Sequence, residues 1–211
     1  MRDRNAPLTE ADITALAWEK MDGLLPAIVQ HAATSEMLML GYMNADALRE
    51  TLRSGHVTFY SRSKQRLWTK GETSGNVLRL VSAHGDCDDD ALLVRAEPQG
   101  PTCHTGTRSC FGDDVPSGPA WLAHLASVVR ERATGGSPDS YTARLLSEGP
   151  AKIAQKVGEE GVEVALAAVT RDKQGCVEEI ADLLYHLTVL MEAREMDWED
   201  VTAVLKARHA G

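Results

Sequence analysis

The period of the apolar residues changes once along the chain, and this change constrains the fold more than any other feature. Up to residue 111 the apolar runs are short and rich in β-forming residues, as in HVTFYSR and VLRLVSAHG, which predicts strands. After residue 119 the spacing becomes helical, as for Leu122, Leu125 and Val129. The chain is therefore expected to fold as two parts that differ in secondary structure.

The stretch from Gly112 to Pro119 separates these two parts. It contains two prolines and two glycines, a composition that is typical of a linker. We therefore predict a small α+β domain, mostly β, over residues 1–115 and an all-α domain over residues 116–211.

Turn and capping signals divide the first domain into elements. LPAIVQ and EMLMLGYM flank the polar stretch 33–35, which predicts a β-hairpin. Asn44 suits the N-cap of a short helix that runs to Arg53, and Gly55 suits its C-terminal stop. VLRLVSAHG and ALLVRAE predict two further strands, which are joined by an acidic turn.

Composition and charge narrow the class of protein. The chain is 43% hydrophobic and 25% charged, as expected for a globular protein, and no apolar run approaches the roughly 20 residues that span a bilayer. The formal net charge of −9 argues against nucleic-acid and membrane-surface binding. Since the N-terminus has no apolar signal stretch, we expect a cytoplasmic protein whose cysteines are ligands, reactive groups or core residues rather than disulfides.

Acidic side chains are concentrated on two predicted helices of the second domain. In one helix Glu159, Glu160 and Glu163 fall on an arc about 100° wide, and in the next Glu179 and Asp182 lie three residues apart. In both helices the acids are adjacent to apolar positions that we expect to be buried. In the first helix these apolar positions are Val162, Ala165, Leu166 and Val169.

Like charges this close destabilise a helix by about 0.2–0.5 kcal/mol per pair, and a bound divalent cation would compensate for this cost. Mg²⁺ prefers oxygen ligands and bridges carboxylates to phosphate oxygens. Lys152 and Lys156 precede the acids closely enough to reach a phosphate. The spacing alone is equally consistent with solvated acidic helix faces.

The run HGDCDDD forms a second cluster of potential ligands in the first domain. In an extended chain Asp86, Asp88 and Asp90 would share one side, and Cys87 would point away. Such an arrangement offers oxygens to a hard ion and sulfur to a softer one. An EF-hand calcium loop is rejected because Ala91 occupies the position that requires glycine.

Two further cysteines, Cys103 and Cys110, follow this run and bring the number of available thiolates to three. Three protein ligands leave one tetrahedral position open, which is the arrangement of a catalytic zinc site. The spacing alone is equally consistent with three buried structural cysteines. Cys176 has no partner nearby and is predicted to be a core residue.

The helical half resembles a known family over most of its length. The pattern Glu159-Glu160-x-x-Glu163 followed by Glu179-x-x-Asp182 is similar to the EExxE…ExxD signature of MazG-type pyrophosphohydrolases. SYTARLLSEGPAKIAQKVGEEGVEVALAA and EEIADLLYHLTVLM resemble phosphoribosyl-ATP pyrophosphatase. The resemblance implies release of pyrophosphate from phosphoribosyl-ATP, with Mg²⁺ held by these five acids. We also predict catalytic roles for Glu163 and Lys156 and substrate binding by Lys152.

The first half is similar to phosphoribosyl-AMP cyclohydrolase, through MLMLGYMNADAL, FYSRSKQRLWTKGETSGN, HGDCDDDALLVR and GPTCHTG. The resemblance implies a homodimer whose zinc ligands come from both subunits. Its implied Zn²⁺ ligands are Cys87, Cys103 and Cys110, and its implied Mg²⁺ ligands are Asp86, Asp88 and Asp90. Zinc lowers the pKa of bound water toward about 7, so that water can attack C6 of the adenine ring and the N1–C6 bond opens.

Several polar residues of the first half are candidates for proton transfer and substrate binding. His104 adjoins the zinc ligand Cys103, and we therefore predict that it shuttles the proton. Five other histidines are predicted to be structural or surface residues: His31, His56, His124, His186 and His209. Predicted substrate-binding residues are Arg62, Lys64, Trp68, Lys70 and Ser74.

Together the two halves resemble the bifunctional enzymes of histidine biosynthesis, in which phosphoribosyl nucleotides are the substrates. Two alternatives stay open at this point. The helical half is also consistent with a broad nucleotide-pool pyrophosphatase, and either half is also consistent with a catalytically inactive dimerisation module.

Overall fold

The computed structural model describes residues 3–112, 118–135, 137 and 140–209. The chain separates into two compact units, Met1–Pro116 and Ser117–Gly211. The predicted linker and the predicted domain boundary fall mostly on residues 113–117, which lie outside the described residues. The first unit contains strands and one α-helix, and the described helices of the second unit have no strands beside them. The predicted fold classes of both domains are therefore confirmed.

The first unit is built on a four-stranded sheet in the order β2-β1-β6-β5, in which β1 and β6 are parallel and the other pairs are antiparallel. A separate hairpin pairs β3 with β4, and two short 3₁₀ turns, Glu10–Ala15 and Trp18–Met21, precede β1. The elements of this unit are β1 (Leu25–His31), β2 (Met37–Met43), α1 (Ala45–Ser54), β3 (Thr58–Ser61), β4 (Arg66–Thr69), β5 (Leu78–Gly85) and β6 (Leu92–Pro98).

Local signals in the sequence form these elements as predicted. The Asn44 side chain accepts a hydrogen bond of 2.8 Å from the Ala47 amide at the start of α1, and Gly55 ends the helix with a φ of 71°, a conformation that glycine adopts at low cost. The helix and both sheets enclose a core that includes Leu25, Leu48 and Phe59. Gly41 packs against the Phe59 ring so closely that any Cβ there would overlap it.

The second unit is a helical bundle in which α4 and α5 are the longest members. Asp172 caps α5 through a 3.0 Å hydrogen bond from the Gly175 amide, and the core contains Val129, Leu145, Ile153 and Val189. Among the described residues, no helix is long and apolar enough to cross a membrane. The helices are α2 (Ala120–Gly135), α3 (Tyr141–Glu148), α4 (Pro150–Thr170), α5 (Lys173–Ala193) and α6 (Trp198–His209).

The orientation of α4 corrects one prediction. Val162, Leu166 and Val169, which were expected to be buried, are 60%, 57% and 80% exposed, and Ala165 is exposed as well. The buried residues of α4 are Ile153, Glu160 and Ala167, which are seven residues apart and therefore share one face. Since this is the face that enters the bundle, Glu160 points inward together with Ile153 and Ala167, and the four apolar positions that were expected to be buried remain outside.

Candidate metal centres

The first candidate centre lies between α4 and α5. Carboxylate oxygens of Glu160, Glu179 and Asp182 all lie within 4.8 Å of one another. Glu160 comes from α4, whereas Glu179 and Asp182 are one helical turn apart on α5. Glu160 and Glu179 are only 6% and 8% exposed. Because buried acids are usually compensated by a partner, a cation between these carboxylates would add to their contacts with Lys156 and Arg171.

Glu163 lies beside this cluster and interacts with two of its members, Glu179 and Glu160. The pKa of Glu163 is raised, first by its hydrogen bond with Glu179 and then by the negative charges of Glu160 and Glu179. The Arg171 guanidinium also reaches the cluster, where it forms an ion pair with Glu179. All the donor atoms are oxygens, and this donor set fits a hard divalent cation such as Mg²⁺.

Glu159 lies to one side of this group, in spite of its place in the predicted ligand set. Its carboxylate accepts hydrogen bonds from Lys156 Nζ at 2.8 Å and from Gln155 Nε2 at 2.7 Å, and the Lys156 contact lowers the pKa of Glu159. Lys156 Nζ is also 3.4 Å from a Glu160 oxygen. The lysine therefore connects Glu159 with the carboxylate cluster.

A cavity of about 240 Å³ adjoins Glu159 and is lined by residues of α3 and α4. Both predicted phosphate-binding lysines, Lys152 and Lys156, are in its wall. Tyr141 and Arg144 of α3 line the same cavity, and the Arg144 guanidinium carbon lies 5.5 Å from the centre of the Tyr141 ring. Both residues lie in the segment SYTARLL that carries the family resemblance, but no role in the site was predicted for them, because they are separated from the acidic motif along the chain.

The second candidate centre contains two cysteines in the loop after β6. The pKa of Cys103 is lowered to about 6, mainly by hydrogen bonds from the Thr105 hydroxyl and the Thr105 amide, and the Thr105 hydroxyl lies 3.1 Å from the sulfur. Cys103 is therefore a thiolate at neutral pH. Burial and the neighbouring Cys103 charge raise the pKa of Cys110. Paired sulfur donors of which one is ionised fit a soft or borderline cation such as Zn²⁺.

These cysteines open into a cavity of about 510 Å³. The His104 ring nitrogen Nδ1 lies 3.8 Å from Cys103 Sγ. Lys70 is 8% exposed, and its burial lowers its pKa, an effect that the neighbouring cysteines oppose. Of the predicted substrate-binding residues, Trp68, Lys70 and Ser74 line this cavity, whereas Arg62 and Lys64 do not. Arg62 instead stacks on Tyr42, with 4.0 Å between its guanidinium carbon and the ring centre.

The acidic segment between β5 and β6 confirms the predicted turn, but it corrects the side-chain arrangement that was described for an extended chain. Residues 86–91 form a turn rather than an extended chain, with a positive φ of 59° at Asp89. Asp86 stabilises the turn by accepting hydrogen bonds from the amides of Asp90 and Ala91. The turn places the Cys87 sulfur with Asp86 and Asp88, within 4.8 Å, so Cys87 does not point away from the aspartates.

Lys20 contacts this turn, and this contact was not predicted from the sequence. Its ammonium lies 2.6 Å from Asp88 Oδ2 and 3.4 Å from Asp90 Oδ2. The Ala17 amide donates to the Asp89 carbonyl at 2.8 Å. The N-terminal segment thus supplies both a charge and a hydrogen bond to the acidic turn. No local pattern near Lys20 indicates a contact with residues that are almost 70 positions away.

One chain does not bring the three predicted zinc-ligand sulfurs together. Cys103 and Cys110 interact with each other, but Cys87 forms no cluster with them within 4.8 Å among the described residues. Cys87 is also absent from the described lining of the cysteine cavity. The first unit therefore presents two separate groups of donors, one at the β5–β6 turn and one after β6.

The fold and the two donor groups define the class as a two-domain protein, with sulfur donors in an α+β domain and a carboxylate cluster in a helical domain. Comparisons with known proteins agree. Residues 39–112 match the family model of phosphoribosyl-AMP cyclohydrolase, and residues 122–209 match that of phosphoribosyl-ATP pyrophosphohydrolase. The chain belongs to the family of bifunctional histidine biosynthesis proteins, which combine these two domains, and the predicted resemblance is thereby confirmed.

Relatives of known identity align over almost the whole chain. The histidine biosynthesis bifunctional protein HisIE of Salmonella typhimurium is 55% identical over 204 residues, which cover 96% of this chain and 99% of the relative. The HisIE protein of Escherichia coli K12 is 55% identical with the same coverage. That of Vibrio parahaemolyticus is 53% identical over 94% of this chain and 97% of the relative.

Proposed function

We propose that the two domains catalyse consecutive steps on phosphoribosyl nucleotides, with the domain boundary between residues 115 and 116. The helical domain hydrolyses phosphoribosyl-ATP to phosphoribosyl-AMP and pyrophosphate. The α+β domain then opens the adenine ring of phosphoribosyl-AMP between N1 and C6. The observation that carries this proposal is the presence of two chemically different donor groups, oxygen in one unit and sulfur with oxygen in the other.

In the helical domain, Glu160, Glu163, Glu179 and Asp182 would hold Mg²⁺, and Glu159 would join them when Lys156 exchanges its contact for a phosphate oxygen. Bound Mg²⁺ neutralises negative charge on the phosphate oxygens. Lys152 and Lys156 bind the phosphates from the adjoining cavity wall. The hydrogen bond with Glu179 and the charges of its neighbours raise the pKa of Glu163, and Glu163 accepts the proton of the attacking water.

In the α+β domain, Cys103 and Cys110 would hold Zn²⁺ together with Cys87 of a second copy of the chain. Zinc makes bound water acidic enough to supply a nucleophile at neutral pH. His104 lies beside Cys103 in the cavity wall and moves the proton. Trp68, Lys70 and Ser74 orient the nucleotide, with Arg62 and Lys64 further from the cysteines. Asp86, Asp88 and Asp90 would hold Mg²⁺ at the turn.

The shared zinc site can be tested by mixing two inactive variants. Cys87→Ala and Cys103→Ala should each abolish cyclohydrolase activity as separate homodimers. If the site combines Cys87 of one subunit with Cys103 and Cys110 of the other, a mixed dimer retains one intact site. After random subunit exchange of equal amounts we expect about a quarter of the normal activity. The readout is formation of the ring-opened nucleotide from phosphoribosyl-AMP.

The control for this experiment mixes Cys103→Ala with Cys110→Ala. Both variants lack a ligand from the same side of the shared site, so each mixed dimer has one defect in each site and activity stays absent. Recovery of activity in the control, or absence of recovery in the test mixture despite exchanged subunits, would contradict the shared arrangement.

A further inference from the structure

His186 of α5 is a buried histidine. Its two ring nitrogens contact one residue of α3, one of α4 and the preceding turn of α5. It is 5% exposed. Its Nδ1 lies 2.9 Å from the carbonyl oxygen of Asp182 and 3.5 Å from Oε1 of Glu160 on α4. Its Nε2 lies 3.1 Å from the hydroxyl of Tyr141 on α3. One ring therefore connects α3, α4 and α5.

The chemistry of these partners fixes the direction of the hydrogen bonds. A carbonyl oxygen only accepts, so Nδ1 carries a hydrogen and donates it to Asp182. In the neutral ring Nε2 is then the acceptor, and the Tyr141 hydroxyl donates to it. The rings of Tyr141 and Tyr185 meet the imidazole edge-on, with centroids 6.2 Å and 5.1 Å away. These contacts leave the imidazole little rotational freedom.

The residues that His186 contacts on α4 and α3 belong to different parts of the candidate site. Glu160 is a member of the carboxylate cluster, whereas Tyr141 lines the cavity that also contains Lys152 and Lys156. We propose that His186 is a positioning residue, which orients the Glu160 carboxylate for the cation and the Tyr141 ring for the nucleotide. This inference rests on the function proposed for the helical domain and adds to it a residue that connects the cation site with the substrate cavity.

A second hydrogen bond between α3 and α5 does not involve the carboxylate cluster and therefore provides a control. The Tyr185 hydroxyl lies 2.8 Å from the Thr142 hydroxyl oxygen, and this contact also joins α5 to α3. Among the described contacts it reaches none of the clustered carboxylates. Tyr185→Phe therefore removes a hydrogen bond of similar length between the same two helices and serves as the control.

Two substitutions of His186 separate its two ends. Asparagine keeps a polar atom near the position of Nδ1, next to Glu160 and the Asp182 carbonyl, whereas glutamine keeps one near Nε2, next to Tyr141. If His186 orients Glu160, cation affinity should depend on the Nδ1 position. We expect His186→Gln to weaken cation binding by about tenfold, as is typical for residues that support metal ligands, and His186→Asn to restore most of it.

The measurement is Mn²⁺ binding to the full chain, followed by electron paramagnetic resonance, with helical content and Tm recorded for every variant. Glu160→Gln identifies the helical-domain sites, since it should remove them alone. The expected result is weak binding for His186→Gln, and near-normal binding for His186→Asn and Tyr185→Phe. Normal binding by folded His186→Gln would overturn the inference. So would equal losses in all three variants that follow their Tm values, because these would indicate a purely structural role.

The same experiment distinguishes a failure of the proposed function from a failure of the role proposed for His186. If Glu160→Gln removes no Mn²⁺, the carboxylate cluster is not the cation site, and the function proposed for the helical domain falls together with the role of His186. If Glu160→Gln removes Mn²⁺ and His186→Gln does not, only the positioning role is refuted.

Discussion

At the scale of single residues, Cys103 and Cys110 show how much the environment changes one side-chain type. Hydrogen bonds from Thr105 stabilise the Cys103 thiolate and lower its pKa to about 6. Burial and the adjacent thiolate shift the pKa of Cys110 in the opposite direction. The two thiols therefore separate into a nucleophile that is ionised at neutral pH and a neutral neighbour.

We predict that this difference is measurable in metal-free protein. Below pH 6 both cysteines are protonated, and as the pH rises through about 6 the Cys103 thiolate forms and its alkylation by iodoacetamide accelerates. Cys110 should react only at a pH above the ordinary cysteine range. Mass spectrometry of each modified peptide between pH 5 and 9 provides the measurement. Thr105→Val should move the Cys103 profile to higher pH; superimposable profiles for the two cysteines would contradict the geometry.

The residue types of both candidate centres could be predicted from the sequence, because the spacing allowed a group of donors in each half and the family resemblance favoured that reading over solvated acids or buried cysteines. Their supporting contacts could not. Lys20 reaches Asp88 across 68 positions, and Tyr141 reaches His186 across 45. Such contacts depend on the packing of whole elements, and neither periodicity nor local spacing contains that information.

At the scale of elements, α4 shows that a helical period predicts the presence of a helix but not which of its faces is buried. The period correctly predicts the helix and places its acids next to the apolar positions Val162, Leu166 and Val169. It does not specify which face enters the bundle, since that depends on the surfaces of α3 and α5. The turn between β5 and β6 is a similar case, because alternation implies an extended chain only where no side chain, such as Asp86, closes a turn.

Helix α4 also allows a prediction about stability. Gly161 lies in the helix interior, and a Cβ added there would meet no atom within 4 Å. Alanine has a higher helix propensity and restricts the unfolded chain, so Gly161→Ala should increase the free energy of unfolding of the helical domain by about 0.5–1 kcal/mol. Urea denaturation followed by circular dichroism gives the value.

The control for this change is Gly149→Ala, one residue before α4. Gly149 has a φ of 87°, which alanine adopts only with strain, so this substitution should lower stability although the space around it is equally open. A stabilised Gly149→Ala or a destabilised Gly161→Ala would show that backbone conformation and propensity do not govern these positions.

At the scale of the whole molecule, each unit has its own buried core and its own group of donor side chains. The product expected from the helical domain is the substrate expected for the α+β domain. Loss of one site should therefore leave the other site active. Whether phosphoribosyl-AMP accumulates or fails to form should show which site has been lost.

The measurement that tests this account most directly follows both products from phosphoribosyl-ATP in two variants. Cys103→Ala should release pyrophosphate at the normal rate and accumulate phosphoribosyl-AMP, because only the sulfur site is damaged. Glu163→Gln should release little pyrophosphate but still convert added phosphoribosyl-AMP to the ring-opened product. The account would be contradicted if either variant, folded normally, lost both activities or if Glu163→Gln released pyrophosphate at the rate of the unmodified chain.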